Sequence, residues 1–251
     1  MHLGKTESIL FGSKKRLAGS KQPLQISCKG NKIESGTAVT YLGVTLDQNL
    51  SGFSVASSIV KKSTNKLRFL YRNARDLDRN TKSMLTAALI QCHFDYGSSM
   101  WYSGLTCALK KKLQITQNKV IKFILDLPSR THLSASEFSQ VKMLPVSFRI
   151  DQLKLNHMFS IINGLSPEYM KCDISCVSNS GYNTRSGNRS CVIPRVKSFG
   201  IRSFFYTAIK LWNSLPPNIQ ALNGKFVFKL HVKKFLWDKL HREEQQTFLF
   251  Y

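Results

Sequence analysis

The sequence predicts an α+β fold that is mostly α, with short strands in the first fifty residues and helices after them. Two features of the apolar pattern carry this. Before Ser51 the apolar residues are β-branched and fall in short runs between Gly-, Ser- and Lys-rich turns. After it they recur at spacings of three and four, with lysines and arginines between them. The composition supplies a third observation: 251 residues at 42% hydrophobic and 20% charged can bury a core of ordinary size. Wholesale disorder is excluded, and one large domain or two small ones fit the length.

In chain order, residues 8–11, 24–29 and 39–46 read as strands, and Gly30-Asn31, between Cys28 and Ile33, reads as a hairpin turn. A helix over 53–75 carries Val55, Ile59, Val60, Leu67 and Leu70 on one face. Lys61, Lys62, Lys66, Arg68, Arg72 and Arg75 occupy the rest, and no acid occurs anywhere in that span. A second helix, capped by Asp78, is predicted to run through Met84, Leu85, Ala88, Leu89, Cys92 and Tyr96. A third starts at Thr106, runs through Leu109, Leu113, Val120, Ile121 and Ile124, and stops before Pro128, with Lys110, Lys111, Lys112, Lys119 and Lys122 around it. Further helices are expected over 134–142, 145–163, 203–213 and 226–240, with Pro145 and Leu215-Pro216-Pro217 at boundaries. Residues 172–200, rich in Ser, Asn, Gly and Arg, read as a long loop in which only Cys191, Val192 and Ile193 resemble a strand. No repeat of fixed period appears.

The 37 basic against 14 acidic residues leave a net charge of +23 on a folded surface. Charge of that size repels itself unless a polyanion neutralises it, with nucleic acid ahead of acidic lipid. Apolar runs such as 85–90 fall far short of a bilayer span, and the first five residues lack the apolar core of a signal peptide. Six cysteines, several inside periodic apolar segments, fit reduced thiols. The expectation is therefore an intracellular protein, nuclear or cytoplasmic, neither secreted nor membrane-bound. Cys172, Cys176 and Cys191 invite a metal reading, but no histidine lies between His157 and His231, and the non-metal reading is preferred.

Catalytic constellations are absent from the pattern. Two-metal nucleotidyl transfer needs clustered carboxylates. Only Asp76-Leu77-Asp78 and Glu243-Glu244 come close; the first pair reads as helix capping and the second as part of a polar tail. There is no Gly-x-Ser-x-Gly, His-Glu-x-x-His, Walker or Gly-x-Gly-x-x-Gly motif. Cys92, His93 and Asp95 lie too close along one helix to converge, so His93 reads as a helix residue at the edge of the core. His132, in Arg130-Thr131-His132-Leu133, suits a loop or cap as well as a phosphate contact.

Two segments bring a family into view. Gly4-Lys5-Thr6-Glu7-Ser8-Ile9-Leu10-Phe11-Gly12, followed by Tyr41-Leu42-Gly43-Val44-Thr45-Leu46-Asp47, resembles the motif D and motif E region of non-LTR (LINE, jockey/CR1-like) retrotransposon reverse transcriptases. Further signals follow in the same order: Tyr96-Gly97 with Trp101, Arg130-Thr131-His132, Leu144-Pro145 with Arg149, and Thr184-Arg185-Ser186. Ala208-x-x-Leu211-Trp212-Asn213-Ser214-Leu215-Pro216 completes them, so the resemblance covers nearly the whole chain.

The resemblance implies a C-terminal fragment of an RNA-directed DNA polymerase. It divides into a palm-edge remnant (1–50), a helical thumb-like domain (51–130) and a helical C-terminal region (131–251) with a basic loop at 172–202. Lys5 would match the motif D lysine, and Tyr41, Leu42 and Gly43 the primer grip, with Gly43 allowing close backbone approach. The family's Phe/Tyr-x-Asp-Asp hairpin has no counterpart here. No catalytic residue is therefore assigned, no cofactor is expected for this chain, and Mg²⁺ belongs only to an intact parent polymerase. The implied partner is nucleic acid, an RNA template or an RNA–DNA or DNA duplex, gripped through its phosphates. Lys61, Lys62, Lys66, Arg68, Arg72, Lys110 and Lys111 would contribute, with Arg185, Arg189 and Arg195 as part of a second basic patch. Trp212 reads as a core anchor, because Ile209, Leu211 and Leu215 surround it at helical spacing. The alternatives are a host-adopted nucleic-acid-binding protein derived from such an element and a non-functional pseudogene product.

Overall fold

The computed structural model describes residues 6–19, 26–28, 30–33, 35–175 and 190–247. Lys5, Leu24, Lys29, Cys176, Arg185 and Arg189 lie outside them, as does the Thr184-Arg185-Ser186 signal. The architecture is α+β and mostly helical.

The strands form three two-stranded pairings. β1 (Ser8–Ile9) runs parallel to β4 (Ser35–Gly36). It is shorter than the predicted 8–11 because its partner offers only two residues. β2 (Ile26–Cys28) and β3 (Asn31–Ile33) form an antiparallel hairpin with Cys28 opposite Asn31. Asn31 therefore belongs to β3 and not to the turn, and Gly30 stands at φ 79°.

The predicted strand 39–46 is not one strand but a hairpin, β5 (Ala38–Tyr41) against β6 (Val44–Asp47), with Tyr41 opposite Val44. Leu42 and Gly43 make the two-residue turn at φ 46° and 77°. Positive φ at both central positions is the backbone a type I′ turn requires, and leucine at the first conceals it in the sequence.

α1 (Lys14–Gly19) is a short exposed helix. α2 (Phe53–Arg72) is entered through Gly52, whose φ is 67° and where a Cβ would lie 2.8 Å from Leu105 Cδ2. Only glycine meets both conditions. The predicted second helix has three parts: α3 (Arg79–Thr86), a π-helical turn over Ala87–Gln91, and α4 (Cys92–Asp95). Asp78 caps α3, accepting from the Thr81 and Asn80 amides.

The buried face of this segment is Lys82, Thr86, Ile90 and Phe94, with Leu85 and Leu89 packed against the same core, while Met84 and Tyr96 are 73% and 58% exposed and Cys92 is exposed. A four-residue step drifts around a helix of 3.6 residues per turn, and the wider π turn, which rotates less per residue, takes up part of that drift. Lys82 is kept in the interior by Asp126, whose two carboxylate oxygens accept from its Nζ at 2.6 and 2.7 Å.

α5 (Ser98–Trp101), a 3₁₀ turn (Tyr102–Gly104) and α6 (Cys107–Ile124) follow, α6 capped by Thr106. α7 (Ala135–Gln140), α8 (Val146–Ile162) and α9 (Glu168–Cys172) precede a 3₁₀ turn (Ser198–Arg202) and α10 (Phe204–Asn213), α11 (Pro217–Gln220) and α12 (Lys225–Thr247). Glu243 and Glu244 therefore sit on α12 and not in a tail, and Glu244 accepts from the Ala135 amide at 2.8 Å, capping α7.

Two apolar clusters meet on α8. Val146 and Ile150 join one formed by β6, α2, α4 and α6, while Leu155, Met158 and Phe159 join one formed with α10, α11 and α12. Trp212, fully buried, anchors the second, with its ring stacked on Phe228 at 5.7 Å between centroids. Among the described residues no helix is long and apolar enough to cross a membrane.

Candidate nucleic-acid interface

The β5–β6 turn projects beside the acid-free helix α2, because β6 packs on that helix through Val44 and Val55. Tyr41 and Leu42 are 62% and 73% exposed at its tip. Leucine is rarely stable at positive φ, so the turn needs an external hold. The Tyr96 hydroxyl provides it, donating to the Leu42 carbonyl at 2.5 Å. Tyr96 is fixed in turn by the Trp101 indole, which donates to its carbonyl at 3.0 Å, and by Gly97 at φ 60°, where a Cβ would press Val44 at 3.2 Å. Gly43 itself is needed for its φ and not for close approach: a Cβ there would meet Tyr96 at an ordinary 3.8 Å.

Lys61, Lys62, Lys66, Arg68 and Arg72 all lie exposed on α2. Helical geometry sorts them into two stripes about a third of a turn apart. Lys61, Arg68 and Arg72 share one; Lys62 and Lys66, four residues apart, share the other, next to the buried row of Val55, Ile59 and Leu70. Lys62, from the second stripe, faces the turn. A recess of about 100 Å³ there is lined by Gly43, Thr45, Ser58, Lys62, His93 and Tyr96, among others. His93 titrates below its ordinary value, first because it is partly buried and then because Lys62 and Lys66 repel a proton on it.

The remaining basic residues are distributed differently. Lys110 is half-buried, with its ammonium 5.1 Å from the Tyr102 ring and inside the field of Asp151. It belongs to an inward-facing polar group in which the Lys154 ammonium donates to the Ser103 hydroxyl at 2.8 Å. Burial raises the Asp151 carboxyl and lowers Lys154, each opposed by the other's charge. Burial, with Asp151 adding to it, pushes the Tyr102 phenol up to about 12. Lys111 is exposed on α6. Arg195 is exposed on the segment that Asn213 ties down through both backbone groups of Cys191, at 2.9 and 2.8 Å. Arg202 lies over the Phe199 ring at 5.9 Å and lines a pocket that also takes in Asp47, at the end of the hairpin away from its turn.

Several residues that carry the resemblance are framework. Arg149 grips Asp95 through Nε and Nη2, the latter at 2.8 Å, and donates from Nη1 to Gln152 at 2.7 Å. The Leu144 carbonyl accepts from the buried Gln117 amide at 2.9 Å. The Leu215 and Trp212 carbonyls accept from Gln220 at 3.1 and 2.8 Å. Cys92 bonds back to the Ala88 carbonyl and Asp95 faces Arg149, so His93 alone of that trio reaches the recess. Its sequence position puts His93 at the core edge; its neighbour across the recess, Lys62, lies 31 positions away, and no local spacing links them. Among the described residues no group of three or more His, Cys, Asp or Glu side chains could hold a metal ion.

No protein-family model, curated protein or solved structure matches the chain.

Proposed function

We propose that the chain is the thumb and downstream part of a non-LTR retrotransposon-type reverse transcriptase, and that it holds template-primer nucleic acid by its backbone. The observation that carries this reading is an acid-free helix whose Lys62 lines a recess beside the projecting hairpin turn, with Lys66 one turn further on. Cations without carboxylates beside them bind phosphates of any sequence, which is what a protein tracking along a duplex requires. The Tyr41–Gly43 turn would lie against the strand end, with Lys62 and Lys66 holding the phosphates that follow. Polymerisation would need a carboxylate pair supplied from elsewhere in a parent enzyme, where Mg²⁺ would act. Reduced cysteines fit an intracellular setting.

Salt-dependent titration of an RNA–DNA hybrid tests this. Lys62→Glu with Lys66→Glu should weaken binding to every sequence alike and flatten the slope of log affinity against log salt by about 1.8, two contacts at ~0.9 each. Lys234→Glu with Arg242→Glu, exposed on α12, makes the same change in net charge and should leave that slope near its original value. Equal losses from the two double variants would show that net charge, and not this face, binds the duplex.

A further inference from the structure

We propose that the recess between the hairpin turn and α2 seats one backbone phosphate of the bound strand, with Lys62 and the Ser58 hydroxyl as permanent contacts and the His93 imidazole as a contact made only when protonated. The inference rests on the strand-binding reading above and adds to it a specific subsite and a dependence on pH.

The recess has the size and lining for an oxyanion. Its volume of about 100 Å³ admits a phosphate, and its lining supplies a cation, a hydroxyl and an imidazole. Lys62 and Ser58 face it from α2, Thr45 and Gly43 from the hairpin, and His93 and Tyr96 from α4 and the residue after it. No carboxylate lines it. The nearest acid in sequence, Asp95, is held by Arg149 and by the Gln91 amide at 2.9 Å. The Tyr96 hydroxyl is spent on the Leu42 carbonyl, and the Thr45 hydroxyl pairs with that of Thr40 at 3.3 Å. Lys66, one turn beyond Lys62, adds to the positive field on His93 without lining the recess.

The free recess therefore repels a third cation. Burial and the two lysines hold His93 neutral down to a pH below its ordinary 6.5. A phosphate in the recess reverses this, because its negative charge offsets the lysines and draws a proton onto the ring. By linkage, affinity rises as pH falls through the bound-state value, and it levels off below the free-state value. Among the other described histidines, His157 also titrates low, through burial and then Lys225, but it lies beside Phe204. It provides the control.

The test is fluorescence titration of a labelled RNA–DNA hybrid at pH 7.5 and 5.5 and several salt concentrations. The full chain should bind several-fold more tightly at pH 5.5, where protonated His93 adds a second cationic contact to the phosphate that Lys62 already holds. His93→Gln should bind as the unaltered chain does at pH 7.5 and lose the acid gain; His157→Gln should keep it. His93→Lys, a permanent cation, should bind at pH 7.5 as tightly as the unaltered chain does at pH 5.5. Retention of the acid gain by His93→Gln would overturn the subsite, as would no gain in the unaltered chain, while Lys62-dependent binding at pH 7.5 would leave the broader reading standing. Failure of the hybrid to bind at any pH would overturn both.

Discussion

The Tyr96 hydroxyl donates to the Leu42 carbonyl across 54 positions of sequence, and this bond fixes a turn whose first residue has a backbone angle that leucine disfavours. Left-handed backbone costs an L-residue about 1–2 kcal/mol, and a neutral hydrogen bond returns about 0.5–1.5. The two nearly offset, so the turn is held in place with little net stability of its own.

Two substitutions separate these contributions. Tyr96→Phe should destabilise by about 1 kcal/mol and weaken hybrid binding, because the tip is no longer oriented. Leu42→Asn, in a residue that tolerates positive φ, should stabilise by up to about 1 kcal/mol. Urea melts of both variants check the signs; a destabilised Leu42→Asn would mean that the exposed leucine makes contacts its 73% exposure does not suggest.

Lys82 is buried, its ammonium 5.6 Å from the Phe123 ring, while its partner Asp126 is 72% exposed. Removing the carboxylate leaves an unpaired charge inside, but solvent at the Asp126 end screens the loss. Asp126→Asn should therefore cost about 1–2 kcal/mol and not the 3–5 of a fully buried pair. Lys82→Met should be neutral or stabilising. Thermal melts of the single and double variants would show whether the cost vanishes once the lysine is gone.

Ser134 and Glu137 form a capping box on α7, the Glu137 carboxylate accepting from the Ser134 amide at 2.7 Å and from its hydroxyl at 2.6 Å. These bonds, the Ser134 hydroxyl first, lower the carboxyl to about 2 from an ordinary 4.5. A depressed carboxyl contributes stability that is complete above the unfolded value and fades as pH falls from about 4.5 toward 2. Glu137→Gln should flatten that part of the stability–pH curve and leave the melt at neutral pH only slightly lower. An unchanged acid limb would show that the box is not formed in solution.

Trp212→Ala should destabilise by about 3–5 kcal/mol, since it empties a fully buried site stacked on Phe228. Hybrid affinity of the folded fraction should be unchanged. A well-folded variant that has lost binding would instead make the indole a stacking platform for bases.

Local chemistry was legible in the residues themselves. Asp78 and Thr106 announce helix starts, the 109–113–120–124 spacing announces a buried stripe, and the acid-free run from Phe53 to Arg72 announces a cationic face. Each depends on neighbours within a turn or two, so a single sequence determines it. The mostly helical α+β class follows from the same periodicities.

Tertiary structure alone decided the rest. The 39–46 run alternates like one strand, and it folds back at Leu42-Gly43 because Tyr96 and Val55, far along the chain, hold the two arms. The π turn at Ala87–Gln91 shifts the buried face of its helix onto Lys82, Thr86, Ile90 and Phe94, a phase that a 3.6-residue reading cannot anticipate. Lys82 is buried only because Asp126 reaches it, and His93 becomes more than a core-edge residue only because β6 and α2 bring Lys62 across from it. Periodicity and capping are set by nearest neighbours along the chain, whereas charge pairing and the lining of a recess depend on which distant surfaces pack together.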